Sequence, residues 1–432
     1  MQLMSTSKKQ TAANISRLLA GATCTLLNQA ASAQDVAQDT NDPKWDVETA
    51  VLYYSEKDRV SAIEPVFSAT RTFESGNILN IKAVVDVLTG ASPNGATPFD
   101  GPQTFTRPSG NDSYTIAAGE TPLDDTFLDT RVAIGAQYDY SLGRLTHLSS
   151  GLNFSNEYDY QSISVNTRVA REFNDKNTSL SAGFAFAADS IEPEGGIPKA
   201  FTSMPEVEDD LNRQGSSESK DTLDLLLGVT QVINRKTLMQ VNYSFSNSEG
   251  YLTDPFKILT LANSSTGAPE DYLYENRPDS RTKHSIYWKT KYHRENGHII
   301  DASYRYLWDD WDITSHTLDF RYRWPLASGH YIEPHVRYYS QEEASFYRHS
   351  LTAGEALPEF ATADSRLGQF DAMTYGAKYG IPMGENGEFS IRLELYRQNG
   401  STVGTPIGDQ VNYDLFPDLE ATIVQFGYSF QF

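Results

Sequence analysis

Eight cations in the second half of the chain, Lys289, Lys291, Arg305, Arg321, Arg323, Arg337, Lys378 and Arg392, sit on the polar positions of short alternating segments. Asp301, Asp319, Glu333 and Glu394 interleave with them at the same parity. In an extended segment every second residue shares a face, so these charges would line one wall. Such a wall around an enclosed space would order solutes and favour anionic or zwitterionic ones. The plainer reading of the same residues is cross-strand pairing of Arg and Lys with carboxylates, which satisfies a polar interior. The first nine segments carry fewer such cations, chiefly Lys82, Arg131 and Arg168.

Other chemistry is poorly supported. Asp124 with Asp125, Glu206 with Glu208, Asp209 and Asp210, and Asp309 and Asp310 with Asp312 are acidic groups of the kind that can hold calcium. None has the spaced ligands and terminal Glu of a calcium loop, so no metal is expected. His147-Leu148-Ser149 has tempting spacing for a nucleophile and base, but both side chains would face inward beside a predicted turn. No phosphate loop, dinucleotide fingerprint, nucleophile elbow, zinc-protease helix or haem-attachment motif occurs. The expectation is a protein that is not an enzyme and carries no cofactor.

The elements that would position the charged wall are strands. Val424, Phe426, Tyr428, Phe430 and Phe432 alternate with Gln425, Gly427, Ser429 and Gln431, and Leu318, Phe320, Tyr322 and Trp324 alternate with Asp319, Arg321 and Arg323. This is the two-residue period of a membrane barrel. The pattern predicts sixteen strands: 45–54, 60–73, 77–89, 129–142, 145–156, 160–173, 177–190, 221–234, 236–251, 280–293, 297–309, 313–324, 330–345, 371–383, 388–398 and 422–432. If the last ends in the periplasm, every second connection, the periplasmic one, is short and turn-like. All the long ones, 90–128, 191–220, 252–279, 346–370 and 399–421, fall on the other. The predicted fold is therefore all-β: a transmembrane, antiparallel, up-and-down barrel with long extracellular loops.

Composition agrees. The chain has 432 residues, net charge −22 and 12% aromatic residues; mean hydropathy is −0.48. No apolar run is long enough for a spanning helix, and the acidity argues against nucleic-acid binding. The start reads as an export leader, with Lys8, Lys9 and Arg17 before the apolar stretch 18–27, and Ala31-Ser32-Ala33 as a cleavage signal after Ala33. Residues 34–44 would form a short periplasmic segment, and 45–432 the barrel. That leaves no room for a plug or a docking domain before the first strand. Cleavage would remove the single cysteine, Cys24, together with three cations, leaving 32 basic and 57 acidic residues, net −25. Tyr53, Tyr54, Phe73, Trp308, Trp311, Trp324, Tyr338 and Tyr339 cluster near strand ends as interfacial girdles would. Phe432 closes the last strand and resembles the C-terminal signal read by barrel assembly machinery. Expected partners are outer-membrane lipid, lipopolysaccharide and that machinery; the oligomeric state is open.

Two stretches carry a family resemblance: Val87-Leu88-Thr89-Gly90-Ala91-Ser92-Pro93-Asn94-Gly95-Ala96 and Tyr274-Glu275-Asn276-Arg277-Pro278-Asp279-Ser280-Arg281. They resemble the domain of unknown function 3570 family, exported bacterial proteins regarded as outer-membrane barrels. The resemblance implies location and fold, and assigns no chemistry.

Loop 90–128, with Gly90, Ser92, Pro93, Asn94 and Gly95 at its start, is the candidate for a constriction folded into the pore; the alternative is an outward cap. The functional expectation is a passive pore or solute channel in the bacterial outer membrane. The rival is a structural barrel that anchors or sheathes a periplasmic partner, with electron transfer as one such setting.

Overall fold

The computed structural model describes residues 44–207, 209–402, 404–416 and 418–432, with side chains left out at 125–128. The expected leader, Ala33 and the segment up to residue 43 lie outside the described residues.

Sixteen strands close into one antiparallel barrel. They are β1 (Lys44–Glu56), β2 (Ser61–Thr72), β3 (Ile78–Pro93), β4 (Leu123–Ser141), β5 (Thr146–Asn156), β6 (Tyr160–Phe173), β7 (Thr178–Ile191) and β8 (Glu218–Asn234). The second half comprises β9 (Thr237–Gly250), β10 (Ser280–His293), β11 (Ile299–Asp309), β12 (Thr314–Pro325), β13 (Tyr331–Gln341), β14 (Phe370–Met383), β15 (Gly387–Gly400) and β16 (Leu419–Gln431). Each strand pairs with its chain neighbour, and β16 pairs with β1, Phe426 opposite Val51, to close the ring. Closure leaves no sheet edge, so the wall strands satisfy one another's amides without water.

The polarity of the wall is inside out. Ile134, Leu152, Ile163, Leu227, Leu318 and Leu393 are among the most exposed side chains. Their strand neighbours on the other face are polar and buried: Asn166, Asp224, Asn242, Ser244, Lys378 and Arg392. The outward face meets lipid and the inward face encloses polar groups, as the alternation requires.

All sixteen expected strands are present; the differences lie at the outer ends. Gly90, Ser92 and Pro93, read as loop, continue β3 and pair with residues 123–127, the register shifting between Gly90 and Ser92. The hairpin thus projects six residues further on the β4 side than the alternation suggested, and the loop proper is 94–122. The thirteenth strand stops at Gln341 rather than 345, because Ala344 and Phe346 leave the wall and are buried among loop residues. The periplasmic turns are short, with left-handed backbone at Asn174, Asp175 and Lys176 and at Asn296 and Ser328.

The expected aromatic girdle needs a correction. Tyr53, Trp324 and Tyr338 face lipid. Tyr54 is buried on the inner face, Trp311 sits in the core above the wall, and Tyr339 packs against that core. A strand end presents both faces, so proximity to the interface alone does not fix direction.

Leu227 lies midway along the lipid face of β8, 58% exposed. Leu227→Arg is expected to destabilise the barrel by roughly 2–4 kcal/mol, read as a lower urea midpoint in lipid vesicles; an unchanged midpoint would contradict the assigned orientation.

Candidate functional site: the charged lumen and its cap

The strand register brings the eight predicted cations to one face. Lys291 stands opposite Asp301, Tyr287 opposite Arg305, Asp301 opposite Arg321, Asp319 opposite Arg337, and Lys378 opposite both Glu333 and Arg392. The intervening residues, such as Trp288, Phe320, Trp324, Val336 and Ile391, are exposed to the lipid side, so the charges face the lumen.

There the charges form a lattice along the wall. Lys289 Nζ meets Asp301 at 3.0 Å, Arg321 meets Asp319 at 3.2 Å and Lys378 meets Glu388 at 2.9 Å. Arg392 reaches Glu394 at 3.0 Å and Glu333 at 3.6 Å. Arg323 lies 3.6 Å over the ring of Tyr331, whose hydroxyl donates to Glu388 at 2.6 Å. Arg305 lies 5.6 Å from the ring centre of Tyr287. Burying charges is unfavourable unless each finds a counter-charge and hydrogen bonds, and the pairing supplies a counter-charge to Lys289, Arg321, Lys378 and Arg392. The wall remains richer in cations than in acids, since Arg281 and Lys283 add to it from the outer end of β10.

His335 is the hub that the sequence reading missed. It is 1% exposed, with Nε2 2.9 Å from Asp319 and Nδ1 3.0 Å from Glu394. It bridges β12 and β15 across β14, where Gly376 stands opposite it in the register and has no side chain to block the reach. A Cβ at Gly376 would run into the Leu393 carbonyl and Glu394. The parity of His335 with Glu333 and Arg337 was the available signal.

The opposite arc is acidic. Glu64, Asp86, Asp129, Asp189 and Asp224 are all buried on β2 to β8. Arg131 meets Asp86 at 2.5 Å, and Lys220 meets Asp189 at 2.9 Å. Carboxylate oxygens of Asp129, Glu157 and Asp159 come within 4.8 Å of one another at the outer end of this arc. Of the acidic clusters weighed in the sequence, Asp309 instead accepts from Arg281, which stacks 4.3 Å from the ring centre of Trp311. Ser149 accepts from Gln137 at 2.6 Å, while His147 lies 3.1 Å from Ser141.

Above the wall the long loops interlock. Residues 94–122 carry a small hairpin (Gln103–Thr106 with Ser113–Ile116), and 251–279 another (Ile258–Ala262 with Pro269–Tyr274). The strand Ser350–Thr352 adds in parallel to Ile258–Ala262. The amide of Ile258 donates to the Asn94 carbonyl at 2.9 Å, and Gln103 donates to the Tyr272 hydroxyl at 2.8 Å. Thr106 donates to the Pro205 carbonyl at 2.6 Å, and the Asp409 amide to the Thr266 carbonyl at 2.8 Å. Leu252, Trp311, Phe346, Tyr347, Leu367 and Phe416 share one core. Phe105, Tyr114, Ile258 and Tyr274 share a second.

These contacts place a cap across the mouth. Loop 94–122 follows β3, 251–279 follows β9 and 401–418 follows β15, each six strands further round the ring. A ring of this size is on the order of 30 Å across, given ~4.8 Å strand spacing and ~40° tilt. Loops rising at such distant points touch only by crossing the opening. Asn94 and Gly95 thus serve as anchors of the cap: Asn94 is buried and donates to the Tyr114 hydroxyl at 2.9 Å, and Gly95 has φ +103° with its α-carbon against the Ile258 carbonyl.

The two stretches that carry the family resemblance therefore meet. The side chain of Lys257 donates to the Pro93 carbonyl, and the Glu275 amide donates to the Lys257 carbonyl at 3.2 Å. Arg277 lies 2.6 Å from Glu275 and 2.8 Å from Asp364, and all three are buried. Arg366 pairs with Asp364 at 2.5 Å and also with Asp254. Burial opposes ionisation of Asp254 and Asp364, but Arg366, with Arg277 and Lys257, overcomes it and holds both below the usual aspartate range. At Glu275 burial wins over Arg277, and the carboxyl is pushed up.

His349 joins loop 342–369 to 401–418. Burial pushes it down to about 4, against the Leu415 backbone and Asp414. A histidine depressed in the folded state takes up its proton more readily when its surroundings open. Cap stability is thus expected to fall as pH drops from 6.5 towards 4 and then level off. Hydrogen-exchange protection factors over 344–351 should show this drop, and His349→Gln should flatten it. A second expectation concerns Gly95→Val, which forces a side chain onto the Ile258 carbonyl and a strained φ costing roughly 1–3 kcal/mol. Protection should fall across 258–262 while the barrel keeps its heat-shifted mobility on gels.

The fold's likeness to solved structures is distant. A bacterial polysaccharide outer membrane secretin is 10% identical, with 91% of this chain and 100% of that chain covered, at a TM-score of 0.43. The outer membrane protein OpdK from Pseudomonas aeruginosa is 10% identical, with coverage of 90% and 99%, at 0.39. OccK5 (OpdH) from Pseudomonas aeruginosa is 9% identical, with coverage of 90% and 98%, at 0.35. Likenesses this remote carry no argument about substrate. No curated protein matches the chain. The sequence pattern of the family described as "Protein of unknown function (DUF3570)" matches residues 16–430, nearly the whole chain, and the protein belongs to that family.

Proposed function

We propose that this protein is a passive solute channel of the bacterial outer membrane. The observation that carries the reading is the inside-out wall: an apolar outer face around a mainly polar, charge-lined inner face on a closed sixteen-stranded ring. A ring of that size leaves space for an aqueous path unless the interior is filled. The cation-rich arc of β10 to β15 and the acidic arc of β2 to β8 set a field across the path, which favours solutes carrying a negative charge or both signs. Solute would move by diffusion, with no energy-coupling step. Lipopolysaccharide and lipid surround the outer face in this setting, and the assembly machinery reads the end at Phe432.

The test is single-channel recording from purified, refolded protein in a planar bilayer, with the reversal potential measured in a salt gradient. Steady steps with anion preference are expected. Replacing Arg321, Arg323 and Arg392 together with Ser should reduce that preference at least twofold. Folded protein that gives no steps under any condition would overturn the reading.

A further inference from the structure

The buried and half-buried charges of the cap divide in an informative way. Asp254, Lys257, Glu275 and Arg277 belong to loop 251–279; Asp364 and Arg366 belong to loop 342–369. Each set is neutral by itself. Each also contains its own pair: Glu275 with Arg277 at 2.6 Å, and Asp364 with Arg366 at 2.5 Å. The bonds between the loops are a second set, Arg277 to Asp364 at 2.8 Å, Arg366 to Asp254, and the Thr362 hydroxyl to Glu275. Alongside them runs a backbone bridge, the Asn276 amide donating to the Ala361 carbonyl at 3.1 Å and the Ala361 amide to the Asn276 carbonyl at 2.9 Å.

A buried ion pair is hard to break when parting strands one charge in an apolar site. That obstacle is absent here. If the loops part along this seam alone, while the pairing of Ile258–Ala262 with Ser350–Thr352 holds as the hinge, Arg277 keeps Glu275 and Arg366 keeps Asp364, and water replaces the bonds between them. The apolar cores beside the clasp lack this property, because parting them exposes Leu and Phe surface with nothing in return. Among the contacts joining these two loops, the charged seam is the one built to part and re-form.

Building on the channel reading above, we propose that loops 251–279 and 342–369 form the gate of the channel. The Arg277/Arg366 seam is a releasable clasp whose parting admits solute to the lumen. The stretch Tyr274–Arg281 supplies one half of the clasp, and Lys257 ties that half to Pro93 at the root of loop 94–122.

The experiment locks the seam. Asn276→Cys and Ala361→Cys are introduced together in a chain with Cys24→Ser, since residues paired across an antiparallel bridge are within disulfide reach. Cross-linking is confirmed by mass before recording. In planar bilayers the reduced protein should open as the unsubstituted chain does. The oxidised protein should lose at least nine-tenths of its openings, and a reductant should restore them. Asp364→Asn, which removes the shared acceptor of both arginines, should raise the open fraction severalfold in protein shown to be folded by its heat-shifted mobility. Equal openings in oxidised and reduced protein would overturn the gate while leaving the channel standing. Silence of the unsubstituted, reduced and Asp364→Asn forms alike, all folded, would overturn the channel and the gate with it.

Discussion

In a hydrocarbon layer an unpaired backbone amide has no solvent to turn to, and the rest of this structure follows from that. Closing β16 onto β1 pairs every strand of the wall. Closure fixes a two-residue alternation, since one face must meet lipid and the other the enclosed space. It also confines every polar side chain of the wall to a limited volume. There Lys289, Arg321, Lys378 and Arg392 are held close to carboxylates, and an imidazole with two carboxylate partners links three strands around a glycine. The charge lattice is what a closed ring does with charged residues on its inner face.

The cap answers a different demand. Outside the bilayer, loops between strands have water and need no closure, yet these loops bury Trp311, Phe346, Phe105 and Ile258 and share strand pairing. Loops that rise on opposite sides of a mouth and share cores cost backbone freedom, which their buried apolar surface offsets. Of the two family stretches, Asn94, Gly95, Glu275 and Arg277 lie in the cap, while Leu88 and Arg281 belong to the wall.

The sequence disclosed most of the wall and the cap hardly at all. Alternation is local: Val424 to Phe432 or Leu318 to Trp324 reveals its own facing without knowledge of any neighbour, so all sixteen strands and the parity of the eight cations were legible. His335 was legible too, by the same parity, but its two partners lie on other strands. The cap depends on contacts between residues far apart in sequence, such as Asn94 with Ile258 or Arg277 with Asp364, which leave no periodic trace. For the same reason Gly90, Ser92 and Pro93 read as loop: glycine and proline are turn signals unless a partner strand, here residues 123–127, is known to continue beside them. Tyr54 and Trp311 were assigned to the girdle because their position along the chain was visible and their direction was not.

The central claim, that a polar path runs through this barrel, is tested most directly by swelling of liposomes that contain the purified protein. The vesicles are transferred into an isosmotic solution of a small anionic or zwitterionic solute. The account predicts swelling faster than in protein-free vesicles, with a rate that falls as solute size increases. Folded, membrane-inserted protein that leaves the swelling rate at the protein-free level for every small solute would contradict it.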